Sequence, residues 1–549
     1  MKCCNQQGRT KTSVLYNNYM IWADRIRDEI KECFAHEIKA KKPLTIRDEK
    51  TLSGRVHVGS LRGILIHGLI AQVLEEEDIE SKFLFELNDF DPMDGLPVYV
   101  DEKTYRPHMG KPLYTVPASE PGHENYAMVF GDELKEVVDR LKLPIEFYTL
   151  RPLYIDGKFN GVIREALDHA AEIRAIYKDV SGGGKPDDWY PLSVICEECG
   201  KIGTTQVTGW DGEKVTYECK KQYVAWAEGC GHKGTVSPFD GLAKLPWKVE
   251  WPAKWKVMNV NIEGAGKDHS AAGGSRAIGA RISEEVFHYP NPFDIPYEFF
   301  NIGGKKMSAS KGLGASAKEV SDLLPPMLLK LLMIRTIPNR PIDFDPEGKT
   351  IPNLFDEYDR LADHYFKRHK EPDEDFARTF QLTHLDPKKK PEDLWQMRFS
   401  ILAFIIQMPH LDLFLEAEKL KGSPLNAAEK EALRERALYV KQWIETLAPA
   451  EEKFTILTEV PKDLILDQEQ KTALTKLSEA LSDSSLPWGG KAVHEKIHAV
   501  KEETGINPKK LFEPLYQIFL GRKSGPQVGW FLSTFNREEV CKRLILVLK

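Results

Sequence analysis

Two segments far apart in the chain carry the residue types that phosphate chemistry requires. The first, Thr51-Leu-Ser-Gly-Arg-Val-His-Val-Gly-Ser-Leu-Arg-Gly63, sets one imidazole, His57, among Ser53, Gly54, Gly59 and Ser60. Glycines let a backbone approach a ligand closely, the free N–H groups opening a helix suit a phosphate, and the imidazole adds a donor. The second, Asn301-Ile-Gly-Gly-Lys-Lys-Met-Ser-Ala-Ser-Lys-Gly312, offers three lysines and two serines between glycines. Folded over a polyphosphate, such a loop neutralises it and adds hydrogen bonds from Ser308 and Ser310. Taken singly, the first is equally an ordinary strand-to-helix turn and the second an ordinary basic surface loop.

These residues need a scaffold. Pro43–Ile46 reads as the end of a strand, residues 60–76 as the helix after it, and Lys82–Asp89 as a second, buried strand. The acids that follow, Asp89 and Asp91, would either face a ligand at the carboxyl end of that strand or open a solvated loop. A helix is expected over 17–40, where Ile21, Ile26, Ile30 and Phe34 recur at helical spacing. More helix is expected over 124–142 and 159–178, with strand-like IEFYTL between. Four of the eight cysteines, Cys196, Cys199, Cys219 and Cys230, crowd into one window. A CxxC pair followed by glycine, then a hairpin turning at Asp211-Gly212, describes a zinc ribbon. Four thiolates would hold Zn2+ structurally, with no position open for water; the second pair lacks CxxC spacing, and His232 is a substitute ligand. Further on, Trp247, Trp251 and Trp255 precede Glu263-Gly-Ala-Gly-Lys-Asp268-His269. Gly264 and Gly266 permit close approach to adenosine, Asp268 can bind hydroxyls, and His269 can bond a ligand or phosphate. Trp255 can stack on a methylene chain, whereas Trp247 and Trp251 read as core packing. PYEFFNI then forms a strand leading into the lysine loop. Beyond about residue 320 the pattern is helical, over 353–381, 392–419, 427–448, 468–482, 491–503 and 509–521.

The HVGS of residues 57–60 resembles the HIGH motif, and the KMSAS of 306–310 resembles KMSKS. These are the paired marks of class I aminoacyl-tRNA synthetases. The forms SGxVHVG and KMSxSKG, the WAD at 22–24, the tryptophan segment and GKDH resemble the lysine branch, the class I lysine–tRNA ligases. The tail 505–544 resembles the helical anticodon-binding end shared by class I lysine and glutamate enzymes, so the resemblance covers nearly the whole chain. It implies an α/β fold, a doubly wound (Rossmann) parallel sheet split by a zinc-ribbon insertion and followed by an α-helical C-terminal domain. The expected divisions are 1–105, N-terminal helix and first half of the sheet domain; 106–245, connective insertion with the ribbon; 246–320, second half; and 321–549, anticodon-binding region. It implies activation of lysine by ATP with Mg2+, and transfer from lysyl-adenylate to tRNA(Lys). His57, Lys306, Ser308, Ser310 and Lys311 would be catalytic. Ser53, Gly54, His57, Gly59, Ser60, Gly266, Asp268, His269, Lys306, Met307 and Ala309 would bind ATP. Asp48, Glu49, Trp255 and His269 would bind lysine, with Glu263 a further candidate for its ammonium. Ser60 departs from the usual Asn or His, and Ala309 from the usual second lysine of the loop.

Composition sets bounds. At 549 residues, 42% hydrophobic and 29% charged, the chain suits several soluble domains. No apolar run reaches membrane-spanning length and residues 1–19 lack the apolar core of a secretory signal, so cytoplasmic residence, no membrane contact and a monomer are expected. A net charge of −7 gives no global support to nucleic-acid binding, which must then rest on a local face. Other readings are a glutamate-specific ligase of the class, a small-substrate adenylyltransferase and a non-catalytic RNA-binding relative.

Overall fold

The computed structural model describes residues 21–271, 273–303 and 316–549, together with the backbone of Lys305 and Lys306. It divides into two compact units, one of residues 1–345 and 360–391, the other of 346–359 and 392–549.

The first unit is built on strand β1, Leu44–Thr51. The strand does not end at Ile46 as its apolar pattern suggests, because β2 (Ser81–Asn88) pairs with it in parallel through Thr51↔Asn88. The charged stretch Arg47–Lys50 stays in the ladder because buried partners, described below, satisfy Arg47 and Glu49. β3 (Ile145–Thr149) extends the parallel sheet beyond β2. The chain then enters the cysteine-bearing segment, with β4 (Ser193–Val194), β5 (Thr205–Trp210), β6 (Val215–Cys219), β7 (Lys233–Val236) and β8 (Ala243–Lys244). β5, β6 and β7 form an antiparallel sheet. The expected turn is present: Asp211 Oδ1 accepts from the N–H groups of Glu213 and Lys214, at 2.9 and 2.7 Å. β9 (Val260–Ile262) returns to the parallel sheet beside β1, giving the order β3-β2-β1-β9. At the irregular β1–β9 register, Asn261 Oδ1 accepts from the N–H of Thr45 at 2.8 Å and replaces a ladder bond. β10 (Phe300–Ile302) pairs with β11 (Lys305–Lys306) and with β12 (Ile342–Phe344).

The helix Gly59–Glu75 packs against this sheet and is buried from Leu61 to Leu74. Its Arg62 is fully buried and donates to five carbonyls, those of Glu298, Phe299, Ile337, Pro338 and Arg340. That guanidinium ties the segment leading into β10 to the signature helix. The expected helix over 17–40 breaks at Phe34 into Trp22–Cys33 and Ala35–Lys39, and that over 159–178 breaks at His169.

Among the described residues of the second unit every regular element is helical. Its core gathers Leu474, Leu477, Ile497, Leu515, Phe519, Phe531 and Leu544 from five helices between Gln468 and Leu548. The fold is thus a parallel-sheet α/β core followed by a helical C-terminal region. Among the described residues no helix is long and apolar enough to cross a membrane.

Candidate active site

A cleft of about 680 Å³ opens at the carboxyl ends of β1 and β9. Asp48, Glu49, Ser53, Gly54, His57, Gly59, Ser60, Gly266, Asp268 and His269 all line it, so residues chosen from separate segments share one surface. Glu263 and Tyr297 line it as well. Gly59 is required here by contact, since a Cβ on it would lie 2.8 Å from the His57 ring. Burial, with the cation of Lys50 nearby, lowers the His57 pKa to about 4, so the imidazole is neutral near pH 7. Its Nδ1 is buried and has no hydrogen-bond partner among the described residues.

The ends of the lysine-rich loop reach the same place. Phe300 lines the cleft, and the adjacent Asn301 pairs through β10 with Lys306 of β11. On the far side, Ser316 forms an antiparallel bridge with His57, and the N–H of Ala317 donates to the carbonyl of Val56 at 2.7 Å. Lys306 is placed by its backbone only; Met307, Ser308, Ala309, Ser310 and Lys311 lie outside the described residues.

Beneath the cleft runs a buried ionic network that motif reading misses. Arg47 donates to Glu263 at 2.9 Å and Glu86 at 2.7 Å, and also pairs with Glu49. Lys254 reaches Glu49, Glu86 and Glu250 at 2.7, 2.6 and 3.0 Å. Burial alone would raise the Glu49 carboxyl; Lys254 and Arg47 overcome it and hold Glu49 ionised, well below the usual carboxylate range. Burial likewise opposes the Lys254 charge, yet Glu250, Glu49 and Glu86 keep its pKa well above that of a free lysine. Glu263 is different: burial raises its pKa although it accepts from Arg47, Trp251 and Trp255. The sequence did hold a signal, because Glu86 interrupts the apolar run Phe83–Leu87 and Arg47 follows buried Ile46 on the neighbouring strand.

Asp48 is held separately. The N–H of Gly264 donates to His67 Nε2 at 2.8 Å, leaving the ring proton on Nδ1 to donate to Asp48 Oδ2 at 3.1 Å. Gly63 leaves room for this arrangement, since a Cβ there would stand 2.7 Å from Asp48 Oδ2 and 2.6 Å from the Tyr297 hydroxyl.

Two expectations need correction. Trp255 does not line the cleft; it is fully buried, its indole N–H donating to Glu263 Oε2 at 2.7 Å. Trp247 and Trp251 do pack as core, Trp251 buried beside Trp255 and Trp247 against them, and their rings, stacked with centroids 5.6 Å apart, also form the aromatic wall of the cleft. The helix Trp247–Met258 runs inward, so the first two tryptophans reach the opening and the third sits under them. Asp89 and Asp91 neither line the cleft nor open a solvated loop. Burial pushes Asp89 up to about 6, and Asp91 bonds Thr51 and Lys244 at 2.6 and 2.8 Å.

The four clustered cysteines converge: their sulfurs lie within 4.8 Å of one another, with Cys196–Cys230 at 3.6 Å and Cys199–Cys219 at 3.7 Å. A tetrahedral ion with metal–sulfur bonds of ~2.3 Å requires sulfur separations of roughly 3.8 Å, so this donor set fits one. His232 stays outside, 3.9 Å from a Glu197 carboxylate oxygen.

Residues 20–386 match the family described as tRNA synthetases class I (K). The chain belongs to that family. Residues 408–548 of this class I synthetase match an anticodon binding domain. It is 33% identical to a lysine–tRNA ligase of Methanocaldococcus jannaschii over 549 aligned residues, covering 96% of this chain and 100% of that protein. A lysine–tRNA ligase of Thermoplasma acidophilum is 32% identical, with 90% and 94% covered. Among solved structures, a glutamate tRNA ligase from Elizabethkingia meningosepticum aligns with TM-score 0.44 and 14% identity, over 92% of this synthetase and 99% of that chain.

Proposed function

We propose that this class I synthetase activates lysine with ATP to lysyl-adenylate and transfers the lysyl group to tRNA(Lys). The observation that carries the reading is the convergence of the His57 turn and both ends of the lysine-rich segment on a cleft floored by Glu49. Around that floor, five carboxylates (Glu49, Glu86, Glu250, Glu263, Asp91) face three cations (Arg47, Lys244, Lys254). A surplus of buried anion suits a substrate bearing an ammonium group and opposes one bearing a second carboxylate.

ATP lies with its adenine near Gly59 and Gly266 and its phosphates toward His57. A lysine carboxylate oxygen attacks the α-phosphorus, and the bond from that phosphorus to the bridging oxygen breaks, releasing pyrophosphate. No proton need move in this step, so catalysis is positioning plus stabilisation of phosphate charge. Neutral His57 donates one N–H to the phosphates; Lys306 and Lys311 supply positive charge, and Ser308 and Ser310 further hydrogen bonds. Mg2+ on the phosphates would share that neutralisation. A terminal ribose hydroxyl of the tRNA then attacks the adenylate carbonyl and AMP leaves. Asp48 and Glu49 orient the substrate ammonium against Trp247 and Trp251. Cys196, Cys199, Cys219 and Cys230 would hold Zn2+ in a structural role, since four sulfurs complete its coordination.

The test is exchange of labelled pyrophosphate into ATP with each amino acid in turn. Exchange with lysine and none with glutamate is expected, and the reverse result defeats the reading. Lys306→Ala is expected to slow exchange by about 100-fold or more with little change in melting temperature. A wild-type rate in that variant removes Lys306 from the chemistry.

A further inference from the structure

The ionic network does not stop at the sheet. It continues into the cysteine-bearing segment through one side chain, Lys244 on β8, which is nearly inaccessible to solvent. Its ammonium lies 2.8 Å from Asp91 and 2.6 Å from Glu250. Each of those carboxylates has a second partner at the cleft or next to it. Asp91 accepts the hydroxyl of Thr51, a cleft residue, at 2.6 Å. Glu250 lies 3.0 Å from Lys254, which in turn holds cleft-lining Glu49 at 2.7 Å.

We propose that Lys244 is a positioning residue for the amino-acid pocket: by pinning Asp91 and Glu250 it fixes how Thr51 and Glu49 face the cleft. The inference rests on the reading of that cleft as the site of amino-acid activation. The reason is a competition for one ammonium. Lys254 already serves Glu49, Glu86 and Glu250, and Lys244 is the second cation on Glu250. Without Lys244, Glu250 retains only Lys254 and the Tyr154 hydroxyl among these partners, so Lys254 is drawn toward it and away from Glu49. At the same time Asp91 loses the cation on its Oδ1 and is held only through its Oδ2, which accepts from Thr51 at 2.6 Å and from the Asn88 amide at 3.1 Å. Burial disfavours the Lys244 charge, but Asp91 and Glu250 outweigh it and raise the pKa, so the lock stays charged at neutral pH.

The position of Lys244 is itself set by the cysteine-bearing segment. Ser193 pairs with Lys244 and Val194 with Ala243, and the N–H of Ile195 donates to the carbonyl of Leu242 at 2.9 Å. Cys196 follows at once. The segment thus acts on the pocket through a two-residue ladder and one ammonium group.

The experiment is amino-acid-dependent pyrophosphate exchange by the full chain with Lys244→Met and Lys244→Arg. Lys244→Met is expected to raise KM for lysine about tenfold, leaving KM for ATP and the rate at saturation within about threefold, with Lys244→Arg recovering most of the loss. A purely structural residue would lower the active fraction, and so the saturated rate, at unchanged KM; that pattern overturns the proposal. Should Lys244→Met not fold, the charge-balanced pair Lys244→Met with Asp91→Asn keeps the test, and a wild-type KM for lysine in that variant also overturns it. If the wild type exchanges with an amino acid other than lysine, the substrate assignment fails. The same comparison with that amino acid then decides the role of Lys244.

Discussion

At the residue scale the cleft depends on contacts that leave no slack. A methyl group at Gly59 would overlap the His57 ring at 2.8 Å, and moving the ring displaces the donor proposed for the phosphates. Gly59→Ala is therefore expected to cut pyrophosphate exchange by about 100-fold, matching His57→Ala, because both remove one aimed donor. Equal losses in the two single variants and no further loss in the double are the result to look for; a Gly59→Ala rate near wild type removes the contact from the mechanism. The half-buried imidazole also has a signature in stability. Its pKa falls from 6.5 to about 4 on folding, so between those values the unfolded chain binds a proton that the folded chain refuses. Stability attributable to His57 is thus intact above pH 6.5 and is lost as the pH drops toward 4. Melting temperature measured across that window should fall less steeply in His57→Asn than in the wild type. His57, Gly59 and Gly266 were legible in the sequence because each belongs to a short motif whose meaning is local. Glu86 and Arg47 showed only as charges set in apolar strand sequence, and Lys254 not at all, because their partners come from other strands and a helix, and the register of β1 on β2 brings them together.

At the element scale, the hairpin of β5 and β6 contributes Val207, Val215, Tyr217 and Cys219 to a core shared with Tyr154, Leu192 and Val194, while the loops that carry Cys196, Cys199 and Cys230 are joined to it at the four sulfurs. A metal at those sulfurs would tie the loops to the sheet. Cys219→Ser is expected to abolish stoichiometric zinc by metal analysis and to expose the segment 196–236 to limited proteolysis, with a melting temperature lower by several degrees. Zinc retained at one ion per chain in that variant would show that the four sulfurs are not the ligand set. Here the sequence told more than for the sheet: the CxxC pair and the Asp211-Gly212 turn are local signals, and both lie where the spacing puts them. The tryptophan helix shows the opposite. The motif gave no helix direction for these residues, and the direction in which Trp247–Met258 runs decides that Trp247 and Trp251 reach the cleft while Trp255 is fully buried.

For the whole molecule the question is how a chain of net charge −7 engages a polyanion. Its basic runs are not idle: Lys388 pairs with Glu75, Lys389 with Asp386, and Lys510 with Asp467 and Glu469. These pairs are exposed, with the lysines 78%, 80% and 47% accessible, so each contributes little and can be exchanged for a phosphate. The cleft proposed to take the amino acid is built the other way, on ion pairs sealed from solvent at Arg47, Glu86 and Lys254. Salt screens the first kind of interaction and barely reaches the second. Each phosphate contact adds roughly 0.7–0.9 to the slope of log affinity against log salt, so a few contacts suffice for a strong effect. Raising salt from about 50 to about 200 mM is therefore expected to increase KM for tRNA by about tenfold or more, while KM for lysine in pyrophosphate exchange changes by less than about twofold. Parallel rises in both constants would mean that the pocket is open to ions and that its buried pairs do not govern amino-acid binding. A flat KM for tRNA would mean that recognition rests on shape and base contacts, with the surface lysines staying on their carboxylates.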